Sequence, residues 1–369
     1  MRKIALFILG FFITLAFPSI SSAETLITLS KPSTQLADGR YINNDLALSL
    51  SPGGDLDALL SKPVRGTRTW VIDPALIEEI AALGDGYTYL DSEGKEVVVE
   101  EFAIANDWLT LLRFLTRNDR IVATTYGSPS ISYLSRSAPG ELAIYNQLSV
   151  LRLQDFIGRE VVSPGTSSAG EPAAVARNSY NSMRKTIRVL NTLVTTNDVE
   201  TLRLGLAKTL NPALSRDNAT LLTRSYQNEV KRFEKRIRVS SGNYTITASR
   251  YELPLTVIND FDQQVSVDLD ITTTNSRVLV DQVPRITIDP RSQLQIKVPI
   301  DVIASGDTAL RIQIRTPKGS SIGEAERIPL RLAVISPVTT WFTTGMAIIL
   351  LLAAVIQSVR RVKRRKNHE

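Results

Sequence analysis

The chain has 369 residues, no cysteine and one histidine, His368, and its formal net charge is +6. It cannot hold a disulfide framework or a Cys–His pair, and the residues before its C-terminal end cannot supply a Ser–His–Asp triad or a histidine-ligated zinc. The positive charge does not indicate a nucleic-acid partner. Eight of the 43 basic residues lie in the first three and last ten positions, and the stretch between holds 35 basic against 36 acidic residues.

The N-terminal end has the three-part pattern of a signal peptide. Two basic residues precede an apolar run over residues 4–17, and the small residues Ser21 and Ala23 are spaced for cleavage before Glu24. We therefore predict a signal peptide over residues 1–23, with an uncleaved N-terminal anchor as the alternative. Either one places the following residues outside the cytoplasm. An exported chain of this size without disulfides is more typical of a bacterial envelope than of a eukaryotic cell surface.

Residues 24–170 mix strand and helix patterns. Strands are predicted at residues 26–29, 45–50, 69–72 and 121–125, and helices at 55–60, 75–83 and 99–117. The helix over 99–117 has an apolar face with helical spacing, made of Ile104, Trp108, Leu111, Leu112 and Leu115. Strands that alternate with helices indicate βαβ units, so we predict an α/β domain with a mainly parallel sheet.

Residues 171–240 follow a break rich in Ser, Gly and Pro and have a helical pattern. One apolar stripe consists of Ala176, Met183, Ile187, Leu190 and Val194, and a second of Leu222, Tyr226, Val230, Phe233 and Ile237. We interpret both stripes as packing faces of a helical segment that completes the N-terminal domain. A basic cluster closes the segment: Lys231, Arg232, Lys235, Arg236 and Arg238. Basic residues at a helix C-terminus favour the helix dipole, and contact with an anionic glycan or phosphate is the alternative.

Residues 241–337 change to a period of two. The predicted strands are 244–249, 253–259, 265–272, 278–280, 285–288, 293–298, 309–315 and 328–334. Seven or eight short strands over about ninety residues indicate an antiparallel sandwich of the immunoglobulin type. The cysteine pair of that domain is missing, so the apolar core alone must hold it together. Val257, Val267 and Ile312 are predicted core positions.

The C-terminal end has the pattern of a membrane anchor. Residues 341–359 carry no charge, and as a helix they would be about 28 Å long, close to the ~30 Å of a bilayer core. We predict a transmembrane helix over 338–359 and a basic cytoplasmic tail over 360–369, which makes a single-pass type I protein of the cell membrane. The predicted anchor residues at the two membrane surfaces are Trp341, Phe342, Arg360 and Arg361. The alternative is a buried core helix followed by a solvated tail.

Several short segments resemble a family of actinobacterial exported membrane proteins with no established activity, which are typically encoded beside the lipid II flippase of peptidoglycan synthesis. The segments that carry the resemblance are 51–56 (SPGGDL), 69–76 (TWVIDPAL), 106–109 (NDWL), 253–260 (LPLTVIND) and the Ser305–Gly306 turn. The resemblance spans most of residues 45–365. It implies that the α/β domain is a partial or degenerate β/α barrel, distantly like polysaccharide deacetylases, joined to the immunoglobulin-like domain.

The chain departs from the family pattern after the 121–125 strand. Family members tend to carry two acidic residues there, and this chain has Ser128 and Ser130. Asp73 remains at the end of a strand, where the sites of barrel enzymes gather. The favoured alternative for Asp73 is capping of the next helix. Trp70, Asp73 and Tyr126 are predicted to form the edge of a ligand pocket. Trp108 lies on an apolar stripe, so core packing is favoured over a sugar-stacking role.

Three function classes remain. The favoured one is a non-catalytic binding or scaffolding component of peptidoglycan-precursor biogenesis in the cell envelope. The alternatives are a carbohydrate-active hydrolase with paired carboxylates and a surface receptor or adhesin. No phosphate loop, dinucleotide fingerprint or metal-ligand spacing is present, so no cofactor or catalytic residue is predicted. The candidate partners are the membrane, the lipid II flippase or another envelope protein, and cell-wall glycan.

Overall fold

The computed structural model describes residues 25–61, 68–163, 170–240, 242–333 and 337–365, with the backbone alone for 337–343 and 359–365. The predicted signal peptide lies outside the described residues. The chain divides into two compact units. Unit 1 takes residues up to Thr34 and Asn43–Gly170, and unit 2 takes Gln35–Ile42 and the chain from Glu171 onward. Helices that the sequence assigned to the N-terminal domain therefore group with the sandwich.

Unit 1 is an α/β unit with one parallel sheet. Its elements are β1 (Thr25–Leu29), α1 (Asp45–Leu50), α2 (Asp55–Ser61), β2 (Arg68–Ile72), α3 (Pro74–Gly84), β3 (Tyr87–Leu90), β4 (Glu96–Val99), α4 (Ala103–Thr116), β5 (Arg120–Ala123), α5 (Ile131–Ser137) and α6 (Pro139–Ile157). The sheet has the order β1-β2-β5, and β3 and β4 form a separate antiparallel pair. Leu29, Ile72 and Ala123 share a register position and are fully buried.

The predicted barrel is wrong. Closing a β/α barrel takes eight parallel strands in the usual case, and the sheet of unit 1 has three strands in its described residues. The prediction of a parallel sheet with helices between its strands is confirmed by the pairing of β1, β2 and β5.

Two local predictions in unit 1 are also wrong. Residues 45–50 were expected as a strand and form α1, because Leu46, Ala47 and Leu50 face the core at helical spacing. Residues 99–117 were expected as one helix, but β4 extends to Val99 and α4 begins at Ala103. In α4 the predicted apolar face is shifted, since Trp108 and Leu112 are buried and Ile104 and Leu111 are exposed.

In its described residues, unit 2 combines four helices with a two-sheet sandwich. Its elements are α7 (Ala174–Leu190), α8 (Asn197–Thr209), α9 (Arg216–Glu234), β6 (Ile237–Val239), β7 (Tyr244–Ile246), β8 (Arg250–Asn259), β9 (Val265–Thr273), β10 (Val278–Val280), β11 (Ile286–Ile288), β12 (Ser292–Val302), β13 (Gly306–Arg315), β14 (Ser321–Leu332) and α10 (Pro337–Arg365). Every residue of the two predicted helical stripes is buried. Those stripes are therefore packing faces, as predicted.

The sandwich of unit 2 has an immunoglobulin-like architecture of two mainly antiparallel sheets. One sheet has the order β10-β12-β8-β6 and the other β11-β9-β13-β14-β7. The predicted core residues Val257, Val267 and Ile312 are at most 1% exposed, which confirms the strand phase at these positions. Asn259, also buried, donates from Nδ2 to the carbonyls of Gln263 and Asp289, and its Oδ1 accepts from the backbone of Phe261.

The fold ends on α10, which takes in both the uncharged run and the basic cluster of the sequence. Within the described part of the chain, no helix is both long enough and apolar enough to cross a membrane, so the predicted transmembrane helix is wrong. The side chains of the predicted anchor residues Trp341, Phe342, Arg360 and Arg361 lie outside the description.

Candidate binding cleft

Asp73 lies at the carboxyl end of β2, where the parallel sheet brings it beside the turn that follows β5. Its backbone N–H donates to the carbonyl of Leu29, which extends the β1–β2 ladder by one residue. Its Oδ1 accepts from the N–H groups of Ala75 and Gly127 at 3.0 and 2.9 Å, and its Oδ2 accepts from Ser128 Oγ at 2.7 Å. The bond from Ala75 makes Asp73 the N-cap of α3, with Pro74 at the first helical position. The capping interpretation is therefore confirmed.

Burial dominates the electrostatics of Asp73. The side chain is 0% exposed, and this desolvation raises the pKa of its carboxyl from 3.8 to about 6, although the hydrogen bonds from Ser128, Gly127 and Ala75 favour the charged form. A second buried carboxylate, Glu79 on α3, adds a small effect in the same direction and itself accepts from Ser33 Oγ. Asp73 therefore has a structural role inside unit 1, where it caps α3 and holds the turn that follows β5.

The other two residues of the predicted pocket edge are buried as well. Trp70 is 1% exposed, and its indole N–H donates to Asp119 Oδ2 at 2.8 Å, at the start of β5. Tyr126 is 2% exposed, and its hydroxyl donates to Glu78 on α3. The structure therefore brings the Tyr126 turn to Asp73 but directs the Trp70 indole to Asp119. A ligand pocket at these three residues stays a prediction.

The two serines of the segment that follows β5, Ser128 and Ser130, have defined contacts. Ser128 has a left-handed backbone (φ +47°), and its hydroxyl contacts Ser30 Oγ at 2.9 Å as well as Asp73. Ser130 is the N-cap of α5 and donates to the carbonyl of Gly170. Trp108 is 4% exposed and donates to the carbonyl of Leu56, which confirms its predicted core role.

A cavity lies in unit 2, between the end of α9 with β6 on one side and β13 with β14 on the other. Its volume is about 570 Å³, which is within the range of ligand sites. The floor is aliphatic and is made of Ile237, Ile258, Ile312, Ile314 and Ile322. We call this cavity the α9–β14 cleft. Four of the five isoleucines are buried, because they also belong to the core of the sandwich.

The rim of the α9–β14 cleft is charged, with opposite signs on its two sides. Lys231, Lys235 and Arg238 come from α9 and β6, and Glu324 and Glu326 come from β14. Arg238 is paired with Asp260. In the described part of the chain, Lys231, Lys235, Glu324 and Glu326 form no ion pair. Their charges are therefore available to a ligand.

An irregular stretch of β14 shapes the acidic side. Ile312 pairs with Glu326 and Ile314 with Ile322, so the register shifts between the two pairs. Gln313 donates from its side chain to the carbonyls of Ile322 and Gly323 and stabilises this bulge. Gly323 has φ +61°, a conformation that glycine adopts without strain. The N–H of Gly323 donates to Glu234 Oε1 of α9 at 3.0 Å.

A smaller cavity of about 250 Å³ lies on the other side of the Glu234–Gly323 contact, against α7. It shares Glu234 and Ile322 with the α9–β14 cleft and adds Lys185 of α7. The two cavities therefore adjoin at Glu234 and Ile322.

Sequence reasoning found only half of this site. The basic cluster after residue 230 was singled out, with an anionic ligand as the alternative. The acidic side was missed, because Glu324 and Glu326 lie about ninety residues further on, in a stretch that was not assigned to a strand. The available signal was Gly323 followed by Glu324, Glu326 and Arg327, since a glycine among charged residues in a strand pattern marks a bulge.

Comparison with solved structures finds chains of low similarity. A C. elegans member of the MSP family, WR4, is 14% identical, covers 27% of this chain and 98% of its own chain, and has a TM-score of 0.21. Native alpha-2-macroglobulin from Escherichia coli is 12% identical over 26% of this chain and 16% of its own, with a TM-score of 0.22. The E. coli chaperone DraB is 15% identical over 27% of this chain and 57% of its own, with a TM-score of 0.21.

Comparison of sequences identifies the family. A search of curated proteins returned no match. A family profile described as "Family of unknown function (DUF6049)" matches residues 128–367, more than half of the chain and all of the α9–β14 cleft. The resemblance to a family of unknown function is thereby confirmed at that level. The chain belongs to the DUF6049 family.

Proposed function

We propose that this protein is a non-catalytic binding component of the cell envelope and that its ligand lies in the α9–β14 cleft. The observation that carries the proposal is the combination of an aliphatic floor with a rim whose lysines and glutamates form no ion pair with other described residues. Ligand sites in proteins are concave and mostly apolar, with a few polar groups that fix orientation. The α9–β14 cleft is concave and has both kinds of group, with isoleucines on its floor and a larger share of polar and charged residues on its rim.

Two features support binding without turnover. The chain has no histidine before residue 368 and no cysteine, which removes the commonest general bases and nucleophiles. The strand-end carboxylate that the sequence offered for chemistry, Asp73, caps α3 and is fully buried. The hydrolase alternative has no supporting observation among the described residues.

The location of the protein is proposed from its sequence. The basic, apolar and small-residue pattern of residues 1–23 supports export. The basic cluster at residues 360–366 supports a place at the surface of the cell membrane. The proposed partners are envelope proteins, such as the lipid II flippase, or cell-wall glycan.

Complementation of a deletion strain of the source organism tests the proposal. Lys235→Glu and Glu324→Lys each reverse one rim charge on an exposed side chain, so we expect both to fold and to fail to restore wild-type resistance to cell-wall antibiotics. Lys318→Glu makes the same charge change on an exposed lysine outside the cleft and should restore it. Asp73→Asn should restore it too.

The opposite result would overturn the proposal. Full complementation by both cleft variants would show that the ligand does not lie in the α9–β14 cleft. Turnover of peptidoglycan by purified protein that disappears in Asp73→Asn would favour the hydrolase alternative.

A further inference from the structure

We infer that the ligand of the α9–β14 cleft is an extended peptide that adds as a strand to the open edge of β14; this inference rests on the proposed function. β14 has 12 residues, and β7 pairs only with its last three, Leu330–Leu332. Among the described strands, none pairs with residues 321–327 on the side away from β13. Seven residues of strand span about 23 Å, enough for a short peptide.

The opposite side of the cleft also presents a strand edge. β6 pairs with β8 on one side, and no described strand pairs with it on the other. Ile237 and Val239 of β6 and Gly323 of β14 line the same cleft. The cleft is therefore bounded by one open edge from each sheet of the sandwich, which is the arrangement that strand addition uses.

The Glu234–Gly323 contact shows that the edge of β14 accepts hydrogen-bond partners. Glu234 Oε1 accepts from the Gly323 N–H at 3.0 Å, where the carbonyl of an added strand would otherwise accept. Glu234 is half-buried and lines both the α9–β14 cleft and the smaller cavity against α7. The carboxylate thus occupies the position of one strand carbonyl and would move aside when a peptide enters.

The floor and rim define the peptide's side chains. In an added strand, alternate side chains face the same way, so one set would lie on Ile312, Ile314 and Ile322. The other set faces the rim, where Lys231 and Lys235 favour acidic residues and Glu324 and Glu326 favour basic ones. The preferred peptide therefore alternates aliphatic residues with charged residues of both signs.

A defined probe tests the inference on the full-length protein. The probe is an acetylated and amidated seven-residue peptide in which valine alternates with lysine and glutamate. We expect saturable binding in calorimetry and at least tenfold slower amide hydrogen exchange within 321–327. Two control peptides carry N-methyl groups on the N–H groups of one edge or the other. One of the two should bind at least tenfold more weakly than the unmethylated peptide, because it loses its hydrogen bonds to β14. Its side chains are the same, so they cannot account for the difference.

A matched pair of protein variants tests the role of Glu234. Glu234→Ala frees the Gly323 N–H and should tighten peptide binding at least threefold, whereas Lys318→Glu should leave it unchanged. Equal binding of all three peptides, unchanged exchange within 321–327, or weaker binding by a folded Glu234→Ala variant would each overturn the inference. If no peptide binds while the cleft variants still fail in complementation, the proposed function stands and its ligand is not an extended peptide.

Discussion

Asp73 gives unit 1 a pH dependence that one substitution should remove. Its pKa is raised from 3.8 to about 6 in the folded state, chiefly because the carboxyl is fully buried. Between these values the folded protein binds more protons than the unfolded chain, so the free energy of unfolding rises as the pH falls from 7 to 4. At ~1.4 kcal/mol per pKa unit, Asp73 adds about 3 kcal/mol in total to the free energy of unfolding as the pH falls. About 1 kcal/mol of this gain occurs between pH 7 and pH 5.

Urea unfolding of the wild type and of Asp73→Asn at pH 7 and pH 5 measures this effect. Asparagine keeps an oxygen that can accept from Ala75 and Gly127 but cannot ionise, so the variant should lack the Asp73 share of the pH dependence. A Trp341→Phe background leaves Trp70 and Trp108, which are buried in unit 1, as the fluorescence reporters. Subtracting the pH dependence of the variant from that of the wild type removes the contribution of the other carboxylates, because both proteins contain them. Identical pH dependence in both proteins would refute the argument that burial sets this pKa.

Three further predictions concern the sandwich, the helices and the location. Val267→Asp should destabilise unit 2 by several kcal/mol in a denaturation experiment, because Val267 is 0% exposed and the carboxylate would have no partner; a folded variant of wild-type stability would contradict the strand register. Gly205→Ala should cost about 1–3 kcal/mol although alanine favours helices, because its Cβ would lie 2.0 Å from the Tyr226 ring. External protease on intact cells should digest the chain beyond residue 24, and a fully protected chain would contradict export.

Sequence patterns predicted the sandwich well because its longer strands have enough residues to show a period of two. Buried residues alternate with half-buried or exposed ones at 265–270 of β9 and at 310–315 of β13, and the predicted ranges overlap both strands closely. The 45–50 segment failed for the opposite reason. Six residues fit both a period of two and a period of 3.6, and contacts with the rest of unit 1 decide for the helix α1.

The barrel and the binding cleft could not be read from local patterns. Alternating strands and helices predict a parallel sheet, but the number of strands that join it is set by long-range pairing, here β1, β2 and β5. The cleft depends on Glu234 meeting Gly323, a contact across 89 residues of sequence. Ile237 was read as the end of a helical stripe, but α9 ends at Glu234 and Ile237 begins β6, which creates one side of the cleft.

Photo-crosslinking in living cells tests the central claim most directly, namely that the α9–β14 cleft holds the ligand. A photoreactive benzoylphenylalanine is placed at Lys235, on the rim, or at Lys318, an exposed position outside the cleft. The account predicts a discrete adduct from position 235 and none from position 318. Adducts of equal yield from both positions, or none from position 235 in a protein that still complements the deletion, would contradict it.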